Sequence, residues 1–110
     1  MIDETLKKIE TQLQAAGSVP EDRRRELMQL VATLKSEVAG LSKTHGEEAE
    51  SIAGFTQVSA HEATRETRNP ELLDLSLQGL RSSVEGFEKT HPALVQIVNT
   101  ISNTLSNLGI

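Results

Sequence analysis

The side chains of this chain that can hold a metal, move a proton or attack a substrate are three histidines (His45, His61 and His91) and sixteen carboxylates; cysteine is absent. Without cysteine there is no disulfide framework, no thiolate nucleophile and no Cys-ligated zinc site. Glu88 and His91 stand in the Glu-x-x-His spacing used by helical di-iron bundles. Such a centre takes two of these pairs and two further glutamates, all projecting inward from facing helices. Here the pair occurs once. The position equivalent to Glu88 in a related upstream segment is Ser42. His91 therefore reads as a seam or capping histidine, with a ring nitrogen on a backbone carbonyl, and His45 reads the same way. His61, next to Glu62 in a polar stretch, is expected to be exposed. No serine or threonine sits in a nucleophile elbow, and no Gly-rich phosphate loop or row of stacking aromatics is present. The expectation is a chain that is not an enzyme, with no cofactor and no metal. A helical small-ligand or metal-binding protein is the alternative.

Two of those histidines end a repeated phrase. Leu34 to Gly46 (LKSEVAGLSKTHG) and Leu80 to Pro92 (LRSSVEGFEKTHP) align at an offset of 46 residues, with identities at Leu34/Leu80, Ser36/Ser82, Val38/Val84, Gly40/Gly86, Lys43/Lys89, Thr44/Thr90 and His45/His91. Both copies read as the C-terminal halves of amphipathic helices, stopped by Gly46 in one case and by Pro92 in the other. Gly40 and Gly86 are placed to let helices approach closely. The match reads as duplication of a helical unit, with convergence on one packing solution as the competing reading.

The elements that must carry these positions follow from apolar residues recurring at alternating spacings of four and three, the mark of helices packed along a narrow stripe. Ile2, Leu6, Ile9, Leu13 and Ala16 form the first stripe, ended by Gly17. Ser18 as N-cap and Glu21 three residues on predict a capping box, with Pro20 in the first turn. The second stripe is Leu27, Val31, Leu34, Val38 and Leu41, so residues 1–45 are expected to form a helical hairpin. Residues 46–68 contain no leucine; Ile52, Phe55 and Val58 give a thin stripe, and a helix lightly held against its neighbours is expected, with disorder the competing reading. Asn69 and Pro70 restart the chain as N-cap and first helical residue. The stripe then runs through Leu73, Leu77, Leu80, Val84, Phe87, His91, Leu94, Val98, Ile101, Leu105 and Leu108. Proline lacks an N–H and disfavours helical geometry before it, so residues 69–110 are expected to form a helical pair broken or kinked at 90–92, with Thr90 available as a cap. Gly109 is expected to turn left-handed and fold Ile110 back on Leu105, closing the chain.

One domain over 1–110 follows: all-α, four or five amphipathic helices in hairpins, with coiled-coil-like aliphatic seams completed by self-association. The sparse aromatic content, Phe55 and Phe87 alone, favours such seams over a thick core. The net charge of −5 is spread over interspersed signs. The basic run Arg23, Arg24 and Arg25 is flanked by Glu21, Asp22 and Glu26, which excludes the net basic stripe of a nucleic-acid binder. No run reaches the ~20 apolar residues of a membrane span. The N-terminus lacks the basic-then-apolar order of a signal peptide, and a cytoplasmic location is expected.

The C-terminal residues Phe87, Glu88, His91, Pro92, Leu94, Leu105, Gly109 and Ile110, with Thr90 in place of a usual serine, resemble a bacterial family of short helical proteins known as domain of unknown function 4404. Its signature is F-E-x-S-H-P with a Leu-x-x-x-Gly-Ile-like tail. The likeness is carried by residues 70–110 and, by pattern alone, by the first hairpin; the stretch 46–68 looks longer than the family's middle segment. The resemblance implies a helical fold and no known activity, cofactor or catalytic residue.

One segment departs from the rest. Pro92 to Ile110 holds no charged residue, and Asn99, Asn103 and Asn107 fall one helical turn apart. Solvated helix faces usually carry Lys and Glu, so this segment reads as a central helix or as an association surface, with a membrane-surface helix the third reading, disfavoured by the lack of Lys and Arg on its polar face. The candidate interaction face is Leu94, Val98, Asn99, Ile101, Asn103, Leu105, Asn107 and Leu108, and the candidate structural motif is Phe87, Glu88, Thr90, His91 and Pro92. The expected partner is a second copy, a dimer being favoured, with an unidentified protein partner also possible. The functional expectation is a structural or protein-interaction module.

Overall fold

The structure, a computed structural model, describes residues 2–108. Their regular structure is five helices: α1 (Ile2–Ala15), α2 (Glu21–Leu41), α3 (Gly46–Thr64), α4 (Pro70–Ser83) and α5 (Pro92–Leu108). The connections are short, so successive helices run antiparallel. Contacts at the two ends agree with this. The α1–α2 loop meets the end of α3, where the Ser18 hydroxyl donates to the Thr64 carbonyl at 3.5 Å. The α2–α3 and α4–α5 turns meet at the opposite end. Helices α2 to α5 form an up-down-up-down bundle, and α1 lies against α2 and α3.

The four-three stripes are the core. Leu6, Ile9 and Leu13 of α1, Leu27, Val31, Leu34, Val38 and Leu41 of α2, Leu73, Leu77 and Leu80 of α4, and Leu94, Val98, Ile101 and Leu105 of α5 are all buried. Each such side chain contributes about 1.5–3 kcal/mol when removed from water. The seams close on one another within a single chain, so the core does not need a second copy to complete it.

Helix α3 is where the expectation of a lightly held helix fails. It touches all four other helices and buries Ala49, Ile52, Ala53, Thr56, Ser59, Ala60, Glu62 and Ala63. Its packing is done by small side chains, which let neighbouring helices approach closely, rather than by a leucine stripe. Of the three larger residues in the expected stripe, only Ile52 is buried; Phe55 and Val58 face solvent.

Several boundaries differ from expectation for local reasons. Glu21 opens α2 directly after Pro20, whose side chain makes no cap; the Ser18 capping box does not form. Instead the Arg24 guanidinium reaches back to the carbonyls of Ala16 at 2.6 Å and Val19 at 3.3 Å and pairs with Glu21 at 2.8 Å. Gly17 does not adopt positive φ. Gly46 does not stop α2, which ends at Leu41; it is the first residue of α3. Helix α4 stops at Ser83, well short of Pro92, and residues 84–91 form a turn in which Gly86 takes φ of 96°. Neither Gly40 nor Gly86 lies under a close helix approach, since a Cβ at either would meet open space. The Asn69 cap forms as expected, its side-chain oxygen accepting from the N–H groups of Glu71 and Leu72. The expected Gly109 turn lies outside the described residues.

The repeat is structural. At the offset of 46, α2 corresponds to α4 and α3 to α5, and α2 packs on α5 as α4 packs on α3. The His45 N–H donates to the Leu41 carbonyl at 2.8 Å, and the His91 N–H to the Phe87 carbonyl at 2.8 Å. The Ala49 N–H donates to the His45 carbonyl at 3.0 Å, and the Val95 N–H to the His91 carbonyl at 3.2 Å. The described helices α2 to α5 are thus two helix–turn–helix units whose equivalent helices pair in the equivalent way, and α1 has no counterpart in the repeat.

Candidate interaction surface

The residues singled out for chemistry gather in part. His45 and His91 meet at the end of the bundle where the two turns touch, with Phe87 between them. Ring centroids are 5.4 Å apart for His45–Phe87, 5.4 Å for Phe87–His91 and 6.0 Å for His45–His91, all edge-on. The ring nitrogens do not bond backbone carbonyls as expected. Nδ1 of His45 shares a hydrogen bond with the Thr44 hydroxyl at 2.8 Å, and Nδ1 of His91 with the Thr90 hydroxyl at 2.9 Å. Thr90 is therefore committed to its neighbour rather than capping α5. Glu88 does not converge with His91: its carboxylate accepts from the Gly86 N–H at 2.9 Å, bracing the turn. Among the described residues no three His, Asp or Glu side chains stand close enough to share a metal ion.

His61 is exposed, with Nδ1 3.2 Å from the amide nitrogen of Gln12, and so ties α3 to α1. The neighbouring Glu62 was not foreseen as buried; it pairs with Arg65 at 2.9 Å. This is an ion pair across the last turn of α3, where a cation also complements the helix C-terminus. The depressions along α1 are lined by scattered polar side chains, such as Lys7, Lys8, Thr11, Gln12 and Gln57, and bring no catalytic set together.

The expected face on α5 divides in two. Leu94, Val98, Ile101 and Leu105 are buried inside the chain, and Leu108 is half-buried, so this stripe is a core seam and not an outward surface. Ser102 and Thr104 are buried beside it. Asn99, Asn103 and Asn107 remain exposed. The segment lacks charge because most of it faces other helices, while the asparagine row forms its solvated edge.

The large apolar side chains exposed to solvent lie elsewhere: Phe55 (41%) and Val58 (48%) on α3, Leu72 (43%) and Leu75 (61%) on α4. Phe55 rests on Gly79 of α4, where a Cβ would run into its ring. Leu75 and Leu72 lie one and two turns from Gly79 on the same side of α4. Because α3 and α4 are antiparallel, Val58, three residues past Phe55, comes opposite the Leu75 turn. The four residues thus form one apolar ridge along the α3–α4 pair. Periodicity missed it because Leu72 and Leu75 sit in a run with Leu73, Leu77 and Leu80; five leucines in nine residues are more than one buried stripe can hold.

Among the described residues the fold is an all-α bundle of five helices. The family model described as Domain of unknown function (DUF4404) matches residues 2–110, and the chain belongs to that family. The match spans the described helices from α1 to α5. No curated protein and no solved structure matches the chain. Among the described residues no helix is long and apolar enough to cross a membrane.

Proposed function

We propose that this chain is a non-enzymatic helical module whose work is protein association, beginning with its own self-association. The observation that supports it is the ridge of Phe55, Val58, Leu72 and Leu75. Contiguous exposed apolar surface on a small soluble domain marks an interaction site more often than chance. The histidine turns support the reading from the other side, because Nδ1 of each imidazole is engaged by the threonine before it and the two rings pack edge-on against each other.

Light scattering coupled to size exclusion, over rising protein concentration, tests the reading. The expected result is a mass that climbs from 12.0 kDa towards about twice that value. A mass fixed at one chain up to about 1 mM contradicts it. A thermal-shift screen with divalent metals and small ligands tests the competing class; a saturable rise in Tm with one of them would favour a ligand-binding role instead.

A further inference from the structure

We propose that His45 and His91 form an open two-histidine site for a borderline divalent ion, Cu²⁺, Ni²⁺ or Zn²⁺, at the end of the bundle where the repeated turns meet. This goes beyond the association reading and does not depend on it. The fold brings together two imidazoles that stand 46 residues apart in the chain, with ring centroids 6.0 Å apart. At metal–nitrogen distances of about 2.0–2.1 Å, two imidazoles on one ion hold their centroids roughly 5–6 Å apart. The observed separation lies at the upper edge of that range. Both side chains are half-buried, so closing on an ion asks for little movement and leaves the ion open to water.

The hydrogen bonds decide which ring nitrogen is available. Nδ1 of each histidine meets the hydroxyl of the threonine before it, and among the described residues no hydrogen bond or ion pair reaches Nε2 of either ring. A hydroxyl can donate or accept, and that of Thr44 has a second acceptor for its proton, the Leu41 carbonyl at 3.4 Å. With the proton placed there, Nδ1–H of His45 donates to Thr44 Oγ1 and the lone pair stands on Nε2. Thr90 occupies the same position beside His91. A ligating histidine is held in this way, its other ring N–H donating to a neighbour that fixes tautomer and orientation.

The ligand type selects the ion. Imidazole suits copper, nickel and zinc, whereas Mg²⁺ and Ca²⁺ take oxygen ligands. Glu88 is committed to the Gly86 N–H, so water completes the coordination shell. The surrounding charge favours a cation: residues 42–50 and 84–92 hold five glutamates against two lysines. That excess opposes the positive ends of α3 and α5, which begin here.

Titration of the full chain with Cu²⁺, followed by calorimetry and by electron paramagnetic resonance, tests the proposal. The expected result is one ion per chain with two nitrogen ligands in the spectrum, and no heat with Mg²⁺. His45→Gln and His91→Gln should each weaken binding at least tenfold with helicity unchanged, while His61→Gln leaves it as it was. Thr44→Val, which keeps both ligands but removes the partner of Nδ1, should weaken it by about tenfold. A single nitrogen ligand in the unaltered chain, or equal affinity in both histidine variants, overturns the site; the nitrogen count stands whatever a variant does to folding. Bound ion also raises Tm. A rise that the histidine variants lose belongs to this site and leaves association to its own mass measurement. A rise that they keep lies elsewhere and contradicts the proposal.

Discussion

The imidazoles of His45 and His91 stand edge-on to each other, their centroids 6.0 Å apart, and each is the last shared residue of one copy of the repeated phrase. The repeated turns thus pack on each other. Phe87 completes the contact from the second copy, where the first has the buried Leu41. The repeated histidine is the place where two structural units are joined.

Removing either ring is expected to loosen that joint. His45→Ala and His91→Ala should each cost about 1 kcal/mol, since edge-to-face aromatic pairs contribute roughly 0.5–1.5 kcal/mol beyond burial. Because the rings touch, the double variant should cost less than the sum by about 0.5 kcal/mol. Urea denaturation of the four proteins measures this, and strict additivity would show that the rings act independently.

Helix α3 should tolerate no enlargement on its buried side. Ala53 and Ala60 are each 1% exposed, and leucine at either must push neighbouring helices apart. A loss of about 1–3 kcal/mol or more is expected for Ala60→Leu, as for other overpacked cores. Ala32→Leu on the exposed face of α2 is the control, expected within about 0.5 kcal/mol of wild type.

The hydroxyls of Ser59 and Ser102 are fully buried and have no hydrogen-bond partner. An unpaired buried hydroxyl costs about 1–3 kcal/mol of desolvation. Ser59→Ala and Ser102→Ala are therefore expected to leave Tm unchanged or raise it. A drop of several degrees would show that these hydroxyls are bonded in solution.

Two repeat-related glycines should respond with opposite sign. Gly86 holds φ of 96° in the α4–α5 turn, which a Cβ strains, so Gly86→Ala should destabilise by about 1 kcal/mol or more. Gly40 is helical with open space around it, and Gly40→Ala should stabilise by about 0.5–1 kcal/mol. Thermal melts of the two variants check the sign directly.

The leucine and valine stripes made the core of α1, α2, α4 and α5 legible in the sequence, because a buried aliphatic at every third or fourth place leaves a periodic trace. Asn69 and Pro70 announced the start of α4 through their own local chemistry. Helix α3 was misjudged because alanine, serine and threonine carry little hydrophobic signal, although their small size is what admits neighbours on several sides. The run from Leu80 to His91 kept its periodic phase while the chain left the helix at Ser83; spacing alone does not register a turn whose apolar residues still point inward. On α5 the absence of charge was visible, but whether its stripe faced inward or outward depended on the packing of four other helices. The ridge was hidden for the same reason: exposure of Leu72 and Leu75 is decided by where α3 lies.

Methyl NMR of the wild-type chain across a dilution series tests the central claim most directly, because it locates the contact without altering a residue. Between about 10 μM and 1 mM, the Val58, Leu72 and Leu75 methyl signals should shift along one binding curve. The core methyls of Leu27 and Val31 and the side-chain amides of Asn99, Asn103 and Asn107 should stay in place. Shifts confined to the asparagine row, or no concentration dependence at any site, would contradict the account.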